Sequence, residues 1–230
     1  MKPDRIRENL ETVRDRMAEA ARRSGRSPSE VRLVAVTKRN PADRVRRLVE
    51  AGATDLGENY PQELWGKAEA LADLPIRWHL IGHLQGNKAK RTVPMVRMIH
   101  GVDSLKLLGT LDELSAGLED PPALCLQVNA SFEESKHGWE PDAILADAQS
   151  IAGLRHAQVV GLMTMAGYGT TDEEARPTFA ALRELRERLR IASGLELPEL
   201  SMGMSGDFNA AIEEGATLVR IGSALFEGVE

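Results

Sequence analysis

Aromatic residues and cysteine are scarce in this chain: 230 residues include three tryptophans, two tyrosines, four phenylalanines and a single cysteine. Cys125 alone can close no intrachain disulfide and one thiol alone holds no metal, so a reducing, cytoplasmic setting is expected. No run of about 18 uninterrupted apolar residues occurs, and no segment is expected to span a membrane. The N-terminal MKPDRIRENLETVRDRM is charged throughout and lacks the apolar core of a secretory signal. Basic residues are outnumbered 29 to 35, a net charge of -6, which argues against general binding to nucleic-acid phosphates. Neither a G-x-G-x-x-G turn nor a P-loop is present, which weakens the case for an open nucleotide-binding sheet.

What the chain does have is a steady rhythm. A first helix is predicted from about Pro3 to Arg23, where Ile6, Leu10, Val13, Met17 and Ala20 recur at alternating spacings of four and three. Short apolar runs then alternate with helix-like segments to the end. Strands are expected near Arg32–Thr37, Asp55–Glu58, Ile76–Ile81, Met98–Val102, Leu124–Asn129, Gln158–Met163, Leu200–Met202 and Thr217–Ile221. Helix starts are marked by Asn40-Pro41, Pro61, Ser104, Pro141 and Pro177. Strands alternating with helices imply right-handed crossovers and a parallel sheet. This strand count fits a closed (β/α)8 TIM barrel with an extra N-terminal helix, one domain over residues 1–230.

In such a barrel the strand C-terminal ends converge on the working face. Those positions are Lys38, Glu58 to Tyr60, His79 to Gln85, Asn129, Met163 to Gly167, Ser201 to Ser205 and Arg220 to Ser223. Lys38 ends the run VRLVAVTK, and an ammonium at the end of a buried strand is expected to be paired, neutralised or covalently used. A neutralised lysine forms imines with aldehydes. SMGMSGD after the seventh strand and RIGS after the eighth are the phosphate candidates, with Ser205, Gly222 and Ser223 at the usual phosphate site of this barrel. Arg220, on a buried strand, needs either a carboxylate such as Glu58 or Asp207, or a ligand atom. Imine-forming lysine, phosphate cradle and inward arginine together describe pyridoxal 5′-phosphate (PLP), although sugar-phosphate aldolases share the first two features.

The segments AVTKRNP, GENYPQE, WHLIGHLQGNK, GLMTMA, LSMGMSGD and VRIGSALF resemble the YggS/PROSC family of pyridoxal phosphate homeostasis proteins, and the resemblance covers nearly the whole chain. It implies a barrel like the alanine racemase N-terminal domain (PLP fold type III) and a Schiff base between PLP and Lys38. It also implies Arg220 facing the pyridine nitrogen, phosphate contacts at Ser205, Gly222 and Ser223, and Asn59 beside the ring. His79 and Met204 are counted with these pocket residues. The expected activity is reversible binding, buffering and delivery of PLP to apo-enzymes by a monomer, without robust catalysis.

The alternative is an amino-acid racemase, which needs acid–base groups on both faces of the substrate carbon. The similar racemases take a tyrosine from a second domain. Here only Ala224 to Glu230 follow Ser223, and Tyr60 and Tyr168 are the only tyrosines. His79 and His83 lack the H-E-x-x-H pattern of a metal site. Lys88, Lys90 and Arg91 read as a solvated face, Trp65, Trp78 and Trp139 as packing, and Lys136 in ESKHG as a candidate to accept or pass on cofactor.

Overall fold

The computed structural model describes residues 4–131, 137–167 and 169–229. Helix α1 (Arg5–Arg23) begins where the Asp4 carboxylate accepts from the Ile6 N–H. That bond satisfies one of the orphan donors of a helix start. The stripe Ile6, Leu10, Val13, Met17 and Ala20 is buried as its spacing predicts. Asn9 on the same helix donates to the Leu225 and Glu227 carbonyls, fixing α1 to the end of the chain.

From there the elements run β1 (Arg32–Val36), α2 (Ala42–Glu50), β2 (Asp55–Glu58), α3 (Pro61–Ala70), β3 (Arg77–Leu80), α4 (Gly86–Thr92), β4 (Met98–Val102) and α5 (Leu105–Ser115). They continue as β5 (Ala123–Gln127), α6 (Pro141–Ala146), α7 (Ala148–Ala152), β6 (Gln158–Met163), α8 (Asp172–Ser193), β7 (Glu199–Ser201), α9 (Phe208–Glu213) and β8 (Leu218–Ile221). The strands pair in parallel in chain order, and β8 returns to β1, with Arg32 opposite Leu218 and Val34 opposite Arg220. The result is a closed barrel ringed by helices.

Period-two alternation divides the strands into an outer and an inner set. Outward residues such as Ala35, Leu56, Leu80, Ile99 and Leu200 join the large core beneath the helices. A separate apolar cluster holds Val34, Val36, Ile81, Met98, Ala123, Cys125, Met163 and Leu218. Burial of the Cys125 thiol in this second cluster pushes its pKa up to about 12, which makes it an inert packing group.

Several strand ends and the start of α1 shift by one or two residues, and two expected helix starts move. Pro41 rather than Asn40 stands at the N-cap of α2, and the Asn40 amide donates instead to the Lys38 carbonyl. Pro177 lies inside α8, not before it. The helix starts earlier because Thr171 and Glu174 close a reciprocal capping box. The residues after β8 form a 3-10 turn, Ser223–Leu225. Ser104 caps α5 and Pro61 and Pro141 open their helices as expected.

Gly161 on β6 shows how closely the barrel backbone packs. A Cβ there would lie 1.9 Å from the Glu199 carbonyl oxygen and 2.6 Å from its carbon. Both obstacles are main-chain atoms of the neighbouring strand, which cannot step aside. Gly161→Ala is expected to lower unfolding free energy by about 3 kcal/mol or more, measured by denaturant titration. A loss too small to measure would show that β6 and β7 are not held this close.

Candidate functional site

Lys38 does not sit in the strand. Val36 is the last residue of β1, and Lys38 is carried one turn above it, exposed, followed by Arg39 at φ 64. The expectation of a desolvated amine is therefore corrected. The turn lifts the side chain onto the rim, where it is open to an incoming aldehyde. A left-handed φ at a residue bearing a Cβ costs about 1 kcal/mol or more and persists where the surroundings enforce it. Thr37 supplies that enforcement. Its N–H donates to the Gly57 carbonyl, its hydroxyl donates to Glu58 Oε1 at 2.6 Å, and its carbonyl accepts from Lys67 Nζ at 2.8 Å.

Glu58 is fully buried and faces outward toward α3, where Lys67 Nζ lies 2.5 Å from Oε1, while Oε2 has no hydrogen-bond partner among the described residues. Burial raises the pKa of its carboxyl, against the opposing pull of Lys67 and Thr37. Glu58 is thus a foundation for the Lys38 turn and does not pair with Arg220.

Arg220 is buried, and among the described residues no carboxylate forms an ion pair with it. Nη1 donates to Ser201 Oγ at 2.7 Å and Nη2 to the Thr164 carbonyl at 2.9 Å. Burial pushes its pKa down to about 10, with Asp207 opposing, so the guanidinium remains charged at neutral pH. A fork of five N–H donors keeps spare capacity beyond these two bonds.

The loops after β7 and β8 are joined through one oxygen. Ser205 Oγ accepts from the Gly222 N–H at 3.3 Å and from the Ala224 N–H at 3.4 Å. Two amides converging on one acceptor form an anion cradle, and bonds this long are weak enough to yield to a charged oxygen. A Cβ on Gly222 would lie 3.2 Å from Val36 Cβ and 3.3 Å from the Val36 carbonyl oxygen, so the bare glycine keeps this tight edge uncrowded. The preceding turn is fixed by Gly203 at φ 96 and by Asp207, whose Oδ1 accepts from the Met204 N–H at 2.5 Å. Burial raises the Asp207 pKa against that hydrogen bond.

Lys38, Gly222 and Ser223 line one cavity of about 180 Å³ with Val36, Arg39, Asn40 and Phe226. Met204 and Ser205 stand half-buried on the adjoining β7 loop. Asn59 follows β2 on the same rim, and its carbonyl would lie 2.2 Å from any Cβ placed on Gly82. Tyr60 beside it is exposed.

His79 behaves otherwise. Both ring nitrogens are committed, Nε2 to Asp55 Oδ1 at 3.0 Å and Nδ1 to His100 Nε2 at 2.9 Å. It offers the mouth no nitrogen of its own and connects to it only through His100, which meets Ser201 Oγ at 2.7 Å. Sequence spacing alone does not single out His100, Asp55 or Lys67 as site residues. For His100 the available signal is the inward parity it shares with Met98 on β4. His83 pairs with Asp103 at 2.7 Å and stacks on His137, away from His79. Arg91 lies over the Trp65 ring at 4.3 Å, while Trp78 and Trp139 are buried. Lys136 and Tyr168 fall outside the described residues.

The lysine amine, the buried guanidinium and the paired amides fit PLP: an aldehyde, a ring nitrogen and a phosphate ester. Comparison with known proteins follows the same line. The profile of the alanine racemase N-terminal domain matches residues 2–229. The pyridoxal phosphate homeostasis protein of Pseudomonas aeruginosa is 44% identical over 221 residues, 96% of this chain and 94% of that protein. PipY of Synechococcus elongatus, solved with PLP bound, is 39% identical with a TM-score of 0.84, over 96% of this chain and 99% of that one. Alanine racemase of Corynebacterium glutamicum superposes with a TM-score of 0.72 at 16% identity, over 96% of this chain and 63% of that one, a likeness of fold.

Removing the Lys67 ammonium leaves the Glu58 carboxylate buried beside Thr37 alone. Lys67→Ala is expected to cost about 3–5 kcal/mol of stability at pH 8. A carboxyl whose folded pKa is raised binds its proton more tightly when folded, so its contribution is retained at low pH and lost as pH rises through that pKa. The deficit should therefore shrink near pH 5, measured by denaturant titration at both values. An equal deficit at both would mean Glu58 is not the group left uncompensated.

Proposed function

Because the chain belongs to the pyridoxal phosphate homeostasis protein family, built on the alanine racemase N-terminal domain, we propose that it binds PLP reversibly at the barrel mouth and acts to hold and deliver that cofactor. The observation that carries the reading is the convergence of Lys38 with the Gly222 and Ser223 edge on one cavity, at the end of the strand that also carries a buried arginine without an ion pair among the described residues. PLP supplies an aldehyde that condenses with a primary amine and a ring able to withdraw electrons when its nitrogen is protonated.

In this reading the exposed Lys38 amine is the covalent anchor. Its exposure suits a carrier, which must exchange its cargo with solvent or with another protein. Ser205 and the Gly222 and Ala224 amides receive the phosphate, with Ser223 at the rim. Asn59 and Met204 border the ring. His79 supports the site from below and does not touch the cofactor.

Arg220 decides the chemistry. A guanidinium still charged at neutral pH donates to a ring nitrogen and gives it no proton. Held that way, a bound ring would withdraw electrons poorly, which would disfavour reactions through a substrate carbanion. Binding without robust turnover follows. Apo-enzymes that need PLP are the recipients this role implies.

Wild-type protein mixed with PLP should develop a visible absorption band and, after borohydride reduction and digestion, carry the cofactor mass on Lys38. Lys38→Ala should lose both. Retention of the reducible linkage in Lys38→Ala would move the anchor elsewhere. Turnover of L-alanine or another amino acid to its enantiomer at about 1 per second or faster, read by chiral chromatography, would make the protein a racemase.

A further inference from the structure

Five polar side chains, from Asp55 to Arg220, line up through the interior of the barrel beside an apolar cluster that includes Val34, Met98, Cys125, Met163 and Leu218. Burying so many polar groups is costly unless each is satisfied, and apolar side chains of similar volume would pack there at no such cost. The distances show that they are linked. Asp55 Oδ1 to His79 Nε2 is 3.0 Å, His79 Nδ1 to His100 Nε2 is 2.9 Å, His100 Nδ1 to Ser201 Oγ is 2.7 Å and Ser201 Oγ to Arg220 Nη1 is 2.7 Å.

With both imidazoles neutral, the chain has one consistent direction. Burial alone would raise Asp55, but hydrogen bonds from Arg77 and His79 hold its carboxyl well below the usual carboxylate range, so it accepts only. His79 Nε2 must then carry the proton. Burial lowers the pKa of His79 despite Asp55, and lowers that of His100 well below the ordinary value, with His79, Arg220 and Arg32 adding to the effect. Burial thus favours the neutral form of both rings. His79 Nδ1 accepts, His100 Nε2 donates, and His100 Nδ1 accepts from the Ser201 hydroxyl. The Ser201 lone pair accepts from Arg220. Every donor points from the arginine at the mouth toward the aspartate at the start of β2. The other charged groups facing the chain are Arg77 on Asp55, Arg32 paired with Glu199, and Asp207 near Arg220.

We propose that Asp55, His79, His100 and Ser201 form a one-directional relay that positions the Arg220 guanidinium and balances its charge from the opposite end of the barrel. Resting on the PLP reading above, it means that residues which never touch the cofactor set the protonation of the ring held against Arg220. His100 is the central positioning residue. Two neutral imidazoles aligned between a cation and an anion polarise in the same sense and pass the compensation along.

Two measurements test this. In the full-length protein without cofactor, long-range 15N–1H correlation of the histidine rings should find His79 and His100 neutral and protonated at Nε2 between pH 6 and 8. A cationic ring, or an Nδ1–H form of either, overturns the relay, and this arm requires no variant. In cofactor-loaded protein, Asp55→Asn and His100→Gln should each move the pH midpoint of the visible band by about one unit, a tenfold change in a proton equilibrium. Borohydride should still fix the cofactor to Lys38 in both. Attachment with an unchanged midpoint in both variants overturns the proposal. Failure of wild-type protein to take up PLP would instead defeat the binding role, and the NMR result would still judge the relay on its own.

Discussion

A guanidinium buried without a carboxylate ion pair among the described residues is the constraint on which this structure turns. Arg220 cannot shed its charge at neutral pH, and no neighbouring acid is bonded to it. The barrel therefore supplies neutral acceptors, the Ser201 hydroxyl and the Thr164 carbonyl, and a line of dipoles leading to the anion at Asp55. Any ligand with a lone pair at the mouth completes an arrangement the protein has already begun. In the proposed PLP-bound state the same charge would limit what that ligand can do, because a fixed cation opposite a ring nitrogen keeps a proton off it.

In the proposed binding mode, anchoring and gripping are divided between the two seams flanking β1. On the β2 side, Thr37, Glu58 and Lys67 clamp the base of the Lys38 turn while leaving the amine exposed. On the β8 side, a single serine hydroxyl holds two amides in a convergent pose. Neither device is rigid at the point of contact. A loosely held hydroxyl and an exposed amine suit a protein that must let go as well as bind.

The fold was largely legible in the sequence because β/α alternation and helix stripes are written in residue spacing. The buried face of α1 followed from Ile6, Leu10, Val13, Met17 and Ala20 alone. Boundaries were less legible where local signals competed. Pro177 marks a helix start in isolation, yet the reciprocal Thr171–Glu174 cap placed the start earlier. Residues at the mouth could be named from strand ends, but their surroundings could not. Lys38 was expected to be buried because the strand before it is, and the Arg39 turn made it exposed. His79 looked like a pocket residue until its two nitrogens were found spoken for. Its partners, Asp55 and His100, come from different strands and meet only through barrel register, which no short stretch of sequence encodes.

The protonation state of the bound ring tests the central claim most directly. With PLP labelled by 15N in its ring, the nitrogen resonance of the loaded protein at neutral pH should be that of an unprotonated pyridine donated to by Arg220. A pyridinium resonance would contradict the account, since it would mean that the buried cation does not govern the cofactor.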